Sequence, residues 1–106
     1  MKRWTVTDRQ GRKIYLTQER WDHILSKHPE LEGRLEDVLA TIRLGRRKSS
    51  KRDPQTFLYS RRNEDLLDPY NTILVFVAFR YIDLPDSNQQ VANNFVTTAW
   101  GDVATT

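Results

Sequence analysis

Both histidines of the chain, His23 and His28, lie in one short stretch, LTQERWDHILSKHPEL, residues 16–31. Imidazole titrates near neutral pH and is therefore suited to transfer protons as a general acid or base. Residues five apart on a helix lie about 140° apart around its axis, so this pair is poorly placed to grip one metal ion. Because the chain has no cysteine and no HExxH motif, and its glycines are scattered, we expect neither a metal nor a nucleotide cofactor.

Several other side chains are suited to recognise a phosphate group. Metal-free cleavage of RNA requires a base for the 2′-hydroxyl proton, an acid for the leaving oxygen, and cations for the charge that develops on the phosphate. Arginine suits the last role because its planar fork matches phosphate oxygens. Hydroxyl groups can position or stabilise the same phosphate. The candidates of these types are Tyr59, Arg61, Arg62, Thr97 and Thr98.

The positive charge of the chain is concentrated in one segment. The formal net charge is +3, and residues 43–52, here called the basic segment, contain six basic residues and no acidic one. Such a segment suits RNA, because lysine and arginine neutralise phosphates whatever the base sequence. A solvated loop that only keeps the protein soluble is the alternative. The basic residues are Arg43, Arg46, Arg47, Lys48, Lys51 and Arg52.

Each candidate also has a plain structural role. His28 can be a helix C-terminal residue that caps the last carbonyls, and His23 a surface residue. Tyr59 can be a core ring with a wet hydroxyl, and the threonines can be ordinary strand formers. Arg61 and Arg62 can be solvated charges at a strand end. Composition alone therefore favours these roles over a nuclease.

The elements that must position these residues begin with a helix over residues 18–28. Thr17 can cap its first turn, and Pro29 disfavours helical backbone at His28, so the helix should end there. Helical spacing places Trp21, Ile24, Leu25 and His28 on one face and His23 on the opposite, polar side. A second helix is predicted from Gly33 to Leu44, followed by Gly45.

The rest of the chain is predicted to form strands. Residues 3–16 read as a short hairpin, and residues 55–62, 72–79 and 94–100 as three longer strands, of which the second is apolar enough to be central and buried on both faces. Residues 63–71 and 82–93 read as loops. The sequence therefore predicts one α+β domain, residues 1–106, with an N-terminal hairpin and two helices packed on an antiparallel sheet of about four strands. No apolar run reaches the roughly 18 residues of a membrane span, so we expect a cytoplasmic protein without membrane contacts.

These patterns resemble a known group of nucleases. The run ERWDHILSKHPEL, an amphipathic helix, a YSRR strand, ILVFVAF and a closing FVTTAW strand together resemble the barnase/EndoU/colicin/RelE-like superfamily, in particular its phage- and mobile-element-associated branch. The resemblance spans roughly residues 14–100, and its helix motif is the most specific part. It implies helices preceding a four-stranded antiparallel sheet, and RNA cleavage without metal in a cleft between helix and sheet.

The resemblance also implies roles for particular residues. His23 or His28 would supply the acid/base group, Arg61 or its neighbour Arg62 would support the phosphate, and Thr98, rather than Thr97, would complete the site. The expected function is a toxin-type or phage-linked endoribonuclease that cleaves tRNA or mRNA through a 2′,3′-cyclic phosphate, with an immunity protein or antitoxin as partner. The residues expected to bind RNA are Arg46, Arg47, Lys48, Lys51, Arg52, Tyr59 and Arg62.

Two other functions fit the same sequence. In the first, the fold binds RNA or a protein partner without catalysis, the basic segment provides the affinity, and the histidines are structural. In the second, an exposed Trp4 or Trp100 docks a protein partner and RNA plays no part. Retention of uncut RNA would indicate the first function, and the absence of any response to RNA would indicate the second.

Overall fold

A computed structural model describes residues 2–105 as two helices on one six-stranded sheet. A 3₁₀ turn, Pro29–Leu31, separates the helices. No helix within residues 2–105 is long and apolar enough to cross a membrane. In chain order the elements are β1 (Arg3–Thr7), β2 (Lys13–Thr17), α1 (Gln18–Lys27), α2 (Leu35–Leu44), β3 (Arg46–Ser49), β4 (Thr56–Arg62), β5 (Thr72–Asp83) and β6 (Gln90–Asp102).

The strands lie in the order β1-β2-β6-β5-β4-β3. The predicted α+β class and the N-terminal hairpin are confirmed, but the sheet has six strands rather than about four. It is also mixed rather than antiparallel, because β2 joins β6 in parallel at Tyr15 and Phe95. All other neighbouring strands are antiparallel. The hairpin thus extends the sheet instead of packing on it.

Two further differences from the predicted elements have a common cause. β3 lies inside the basic segment, where the residues RRKS have no apolar alternation, yet their backbone pairs with β4. The predicted loop over residues 82–93 is shorter than expected. β5 extends to Asp83 and β6 begins at Gln90, because the two strands pair with each other there. Backbone pairing needs no apolar side chain, so polar, exposed ladders escape a search for hydrophobic periodicity.

The helix ends follow from local chemistry. The Thr17 hydroxyl accepts a hydrogen bond from the Arg20 N–H (3.1 Å), as predicted for an N-cap. α1 ends at Lys27, and the His28 N–H closes it by donating to the Ile24 carbonyl. Pro29, which lacks an N–H, then begins the 3₁₀ turn. α2 begins at Leu35 rather than at Gly33, because Gly33 has φ +78° and cannot be helical.

The helices cover one face of the sheet, and the other face stays uncovered. Ile73, Val75 and Val77 of β5 are fully buried in the core against both helices. Successive strand residues point to opposite faces, so Leu74 and Phe76 point away from the helices and are only half-buried. The prediction that this strand is buried on both faces is therefore wrong. We call the uncovered side of β3–β6 the open face.

Gly45 places the basic segment directly beside β4. Its N–H donates to the Thr41 carbonyl at the end of α2, and β3 starts at the next residue. A side chain at Gly45 would begin 2.6 Å from the Ser60 carbonyl oxygen, closer than atoms approach without bonding. Glycine is required here by space, since its φ of −76° is open to any residue. The tight passage turns the chain from the helix layer into the edge strand.

Candidate functional site

An apolar and aromatic strip crosses the open face. In the strand register, Leu58 of β4 is opposite Phe76 of β5, which is opposite Thr98 of β6. Trp100 is opposite Leu74 on the same face. All five side chains are half-buried, so flat rings and apolar edges face the solvent without a covering element. Such a strip is a surface on which a ligand can pack.

Trp100 lies between two depressions of this surface. Its ring centroid is 4.8 Å from that of Phe76 and 5.6 Å from the imidazole of His28. One depression, of about 560 Å³, is lined by His28, Glu30 and Trp100, and the other, of about 460 Å³, by Lys48, Phe76 and Trp100 among others. The imidazole and the basic segment therefore lie on opposite sides of one indole ring.

His28 is held at the rim of the open face by the turn that follows α1. The Glu30 carboxylate accepts a hydrogen bond from the Gly101 N–H of β6 (2.9 Å), which ties the 3₁₀ turn to the strand edge. The same oxygen, Oε2, lies 3.7 Å from Nδ1 of His28. About 30% of the His28 side chain is exposed, against 14% for Glu30. Nδ1 thus faces a carboxylate, which leaves Nε2 as the ring atom available to a ligand.

Basic side chains border the opposite rim. Lys48 of β3 lies opposite Leu58 on the open face, and Arg46, two residues earlier on the strand, points to the same side. After β3 the chain continues through Ser50 to Lys51 and Arg52, which line the depression beside Trp100. Lys48, Lys51 and Arg52 are all exposed. The open face therefore combines exposed rings with positive charge.

The structure brings together only part of the site predicted from the sequence. Thr98 lies on the open face two residues before Trp100. Thr97, the less favoured choice, is the extra residue of a β-bulge, and its hydroxyl donates to the Phe76 carbonyl (3.2 Å). His23 is exposed on α1 and lines a separate depression with Thr17, Glu19 and Arg20.

The two arginines of β4 lie on opposite sides of the sheet. Arg61 is opposite Ile73, a core residue, so its side chain is on the helix side, away from Thr98. Arg62 is on the open-face side by alternation, but its guanidinium is paired with Glu64 (2.5 Å) in the following loop. Thr98 therefore lies on the open face and His28 at its rim, whereas the predicted guanidinium of Arg61 lies on the helix side.

Tyr59 and Arg47 also lie on the helix side. Tyr59 is buried, and its hydroxyl donates to Oδ2 of Asp8 in the β1–β2 turn (2.6 Å). Burial, together with this carboxylate, raises the pKa of Tyr59 to about 12. Burial alone would raise the pKa of Asp8 as well, but hydrogen bonds from Tyr59, Arg12 and Gln10 outweigh it and leave that pKa below its ordinary value.

Sequence reasoning did not assign a role in the site to Glu30 or Phe76. Glu30 follows His28 by two residues across Pro29, and this spacing on a turn is the signal that could have placed the carboxylate beside the imidazole. Phe76 is hidden in a uniformly apolar strand, where nothing in the sequence tells which residues leave the core. Trp100 was considered only as a docking residue for a protein partner.

The site offers proton transfer, stacking and positive charge. Within residues 2–105, histidine and carboxylate side chains form no cluster of three or more that could hold a metal ion. No protein-family model, curated protein or solved structure matches the chain. Its function must therefore be argued from the open face itself.

Proposed function

We propose that the chain is a metal-independent endoribonuclease that binds single-stranded RNA across the open face and cleaves it at His28. The observation that carries the proposal is the contact of the imidazole with Trp100, a ring that is shared with the depression bordered by Lys48, Lys51 and Arg52. One nucleotide stacked on this indole would have its phosphate within reach of both rims. The resemblance of the helix motif to barnase/EndoU/colicin/RelE-like nucleases supports the same function.

Binding follows from the composition of the face. Aromatic rings stack on bases of any sequence, and lysine and arginine neutralise the phosphates between them. Trp100 and Phe76, with ring centroids 4.8 Å apart, provide the stacking surface, and the exposed Lys48, Lys51 and Arg52 provide the charge. This combination fits unpaired RNA in a tRNA loop or an mRNA, whose bases are free to stack.

The reaction needs one oxygen of the RNA to displace another. The 2′-oxygen attacks the adjacent phosphorus while its proton passes to a base, and the P–O5′ bond breaks as that oxygen gains a proton. The products are a 2′,3′-cyclic phosphate and a 5′-hydroxyl, with no metal and no water consumed. Nε2 of His28 is assigned to one of the two proton transfers, solvent water to the other, and Glu30 to holding the ring through the Nδ1 side. Thr98 is assigned to hydrogen bonding the bound phosphate.

A second function, RNA binding without cleavage, is favoured by one observation. The guanidinium expected to stabilise the phosphate, that of Arg61, lies on the helix side of the sheet, and Arg62 is paired with Glu64. Charge stabilisation at the reacting phosphate would then depend on lysines and arginines of the basic segment. If these do not reach the phosphate, the open face binds RNA and leaves it intact.

The deciding experiment incubates the purified chain with total tRNA and with an unstructured RNA in EDTA. We expect fragments that end in a cyclic phosphate. We expect His28→Ala to slow cleavage by at least about 100-fold, the usual effect of removing a general acid or base, with RNA affinity little changed. His23→Ala is the matched comparison, because it removes the other imidazole of the same helix from a separate surface.

The controls separate cleavage from binding and from contamination. RNA with 2′-O-methyl groups should bind and remain uncut, because it lacks the attacking hydroxyl. In cells that lack a neutralising partner, expression of the active chain should arrest growth, and expression of the His28→Ala chain should not. RNA that is retained but stays intact would assign the second function. Equal cleavage by the parent chain and His28→Ala would refute the assigned site.

A further inference from the structure

A second cleft, separate from the open face, lies between the β1–β2 turn and the beginning of β3. It measures about 550 Å³. The side chains that line it come from segments far apart in the chain, because the hairpin turn reaches across to β4 on the helix side of the sheet. Its lining residues are Asp8, Arg9, Gln10, Arg12, Gly45, Arg46, Arg47 and Tyr59.

The cleft carries an excess of positive charge. Four arginines line it, against one acidic residue, Asp8; Arg46, whose side chain points to the open face, borders the cleft at the start of β3. The Asp8 carboxylate is already occupied: it accepts from the Tyr59 hydroxyl (2.6 Å), from Nε of Arg12 (2.8 Å) and from two backbone N–H groups. Within residues 2–105 no ion pair joins Arg9, Arg46 or Arg47 to a carboxylate.

Arg47 has an unsatisfied hydrogen-bonding group. Its guanidinium packs flat on Phe57, 3.4 Å from the ring centroid, and lies 4.9 Å from the centroid of Phe79. Nε is buried and has no hydrogen-bond partner in the described chain. A buried donor without a partner destabilises the folded chain, so its retention needs an explanation. Because Nε is closed to solvent, an anion bound in the cleft would be held by the terminal Nη groups of the same guanidinium.

We propose that this cleft binds a phosphate monoester. Two guanidinium groups without a carboxylate partner, those of Arg9 and Arg47, call for more than one negative charge, and a monoester carries about 1.5 to 2 of them at neutral pH, where a carboxylate carries one. The cleft is larger than a bare phosphate and leaves room for an attached sugar and base. Two sources share this chemistry, a free nucleotide and the phosphorylated end of a nucleic acid. The proposal does not rest on the proposed function, because the cleft lies on the other side of the sheet.

The test measures binding of inorganic phosphate, adenosine 5′-monophosphate and adenosine to the full chain by calorimetry and chemical-shift titration. We expect the monophosphate to bind with a dissociation constant of about 1 mM or lower, and adenosine not to bind at that concentration. A short DNA oligonucleotide, with and without a 5′-phosphate, gives the second arm, since DNA lacks the 2′-hydroxyl required for cleavage. Tighter binding of the phosphorylated than of the unphosphorylated DNA assigns a nucleic-acid end, and equal binding of the two DNAs, with the monophosphate bound, assigns a free nucleotide.

Two variants and a control locate the site. Arg47→Met retains an unbranched side chain over Phe57 and should weaken monophosphate binding by at least about tenfold. Arg20→Met removes one charge from α1, at the separate depression of His23, and should change binding by less than about twofold. If Arg47→Met does not fold, Arg9→Met in the exposed turn replaces it, with a smaller expected loss of monophosphate binding. Absence of binding by the phosphates, or equal weakening by Arg47→Met and Arg20→Met, would overturn the proposal.

Discussion

At the scale of single residues, Tyr59 shows how one hydroxyl joins distant parts of the chain. It lies on β4, and its hydrogen bond to Asp8 (2.6 Å) fixes the β1–β2 turn over the sheet. Tyr59 is only 1% exposed, and the carboxylate that accepts its bond has a lowered pKa because of its several donors. Only the neutral phenol can donate this bond, so the interaction depends on pH.

Tyr59→Phe should therefore change the alkaline behaviour of the fold. The pKa of Tyr59 is about 12 in the fold against 10.0 ordinarily, so its contribution to stability is complete below pH 10 and is lost as the pH rises from about 10 to 12. We expect Tyr59→Phe to lower the free energy of unfolding by about 2 kcal/mol at pH 8, because the variant cannot donate a hydrogen bond to the charged carboxylate. The difference from the parent chain should shrink toward pH 12, as measured by urea unfolding.

The exposed Tyr81 provides the matched control for that measurement, since its ring is 70% exposed at the end of β5. Tyr81→Phe should leave both the stability at pH 8 and its fall above pH 10 unchanged. A stability difference between Tyr59→Phe and the parent chain that stays constant from pH 8 to 12 would contradict the assigned hydrogen bond.

At the same scale, alternation decides which predicted site residues meet. The sequence correctly placed Arg61 and Thr98 in strands, but the face on which each side chain lies depends on register, and a shift of one residue moves a side chain to the other face. The β-bulge at Thr97 adds such a shift in β6. Nothing in local composition reports it, because the bulge is stabilised by pairing with β5. The position of His28 at the end of α1 could be predicted, since Pro29 disfavours helical backbone at the preceding residue.

At the scale of elements, β3 and the loop after it place the basic segment along one rim of the open face. The strand supplies backbone pairing to β4 and exposes Lys48, and the loop carries Lys51 and Arg52 to the edge of the depression beside Trp100. The sequence predicted an RNA-binding role for this basic segment but not its strand, since RRKS is neither apolar nor alternating. Its position next to β4 follows from the tight passage at Gly45, which lies against Ser60, a residue distant in sequence.

Removing charges from this rim should reduce the salt dependence of RNA binding. For single strands, the slope of log K against log salt falls by about 0.7 for each phosphate that the protein no longer neutralises, so Lys48→Ala, Lys51→Ala and Arg52→Ala together should reduce it by about 2. Measurements on 2′-O-methyl RNA avoid cleavage. Arg43→Ala in the last turn of α2 is the control and should leave the slope unchanged. An unchanged slope in the triple variant would show that RNA binds to other residues.

At the scale of the whole molecule, the sheet separates two kinds of surface. Its helix side holds the hydrophobic core together with the arginine-lined cleft, and its open face carries exposed rings and basic side chains. The sequence predicted the α+β class and the layer of two helices from hydrophobic spacing. It could not predict the parallel pairing of β2 with β6, which joins residues some 80 positions apart and leaves no local pattern. That pairing makes the hairpin part of the sheet.

The chain's three tryptophans allow this division to be tested directly. Trp21 is in the core, Trp4 lies on β1 beneath the Lys2 ammonium, and Trp100 is the ring on the open face. If RNA stacks on the open face, binding of 2′-O-methyl RNA should quench the fluorescence of Trp100 alone. Trp100→Leu should then abolish the quenching and weaken RNA binding by about tenfold, the effect of losing one stacked base. Trp4→Leu should leave both the quenching and the RNA affinity unchanged. Quenching that survives in Trp100→Leu would place the RNA on another surface, and the open face would lose its assigned role.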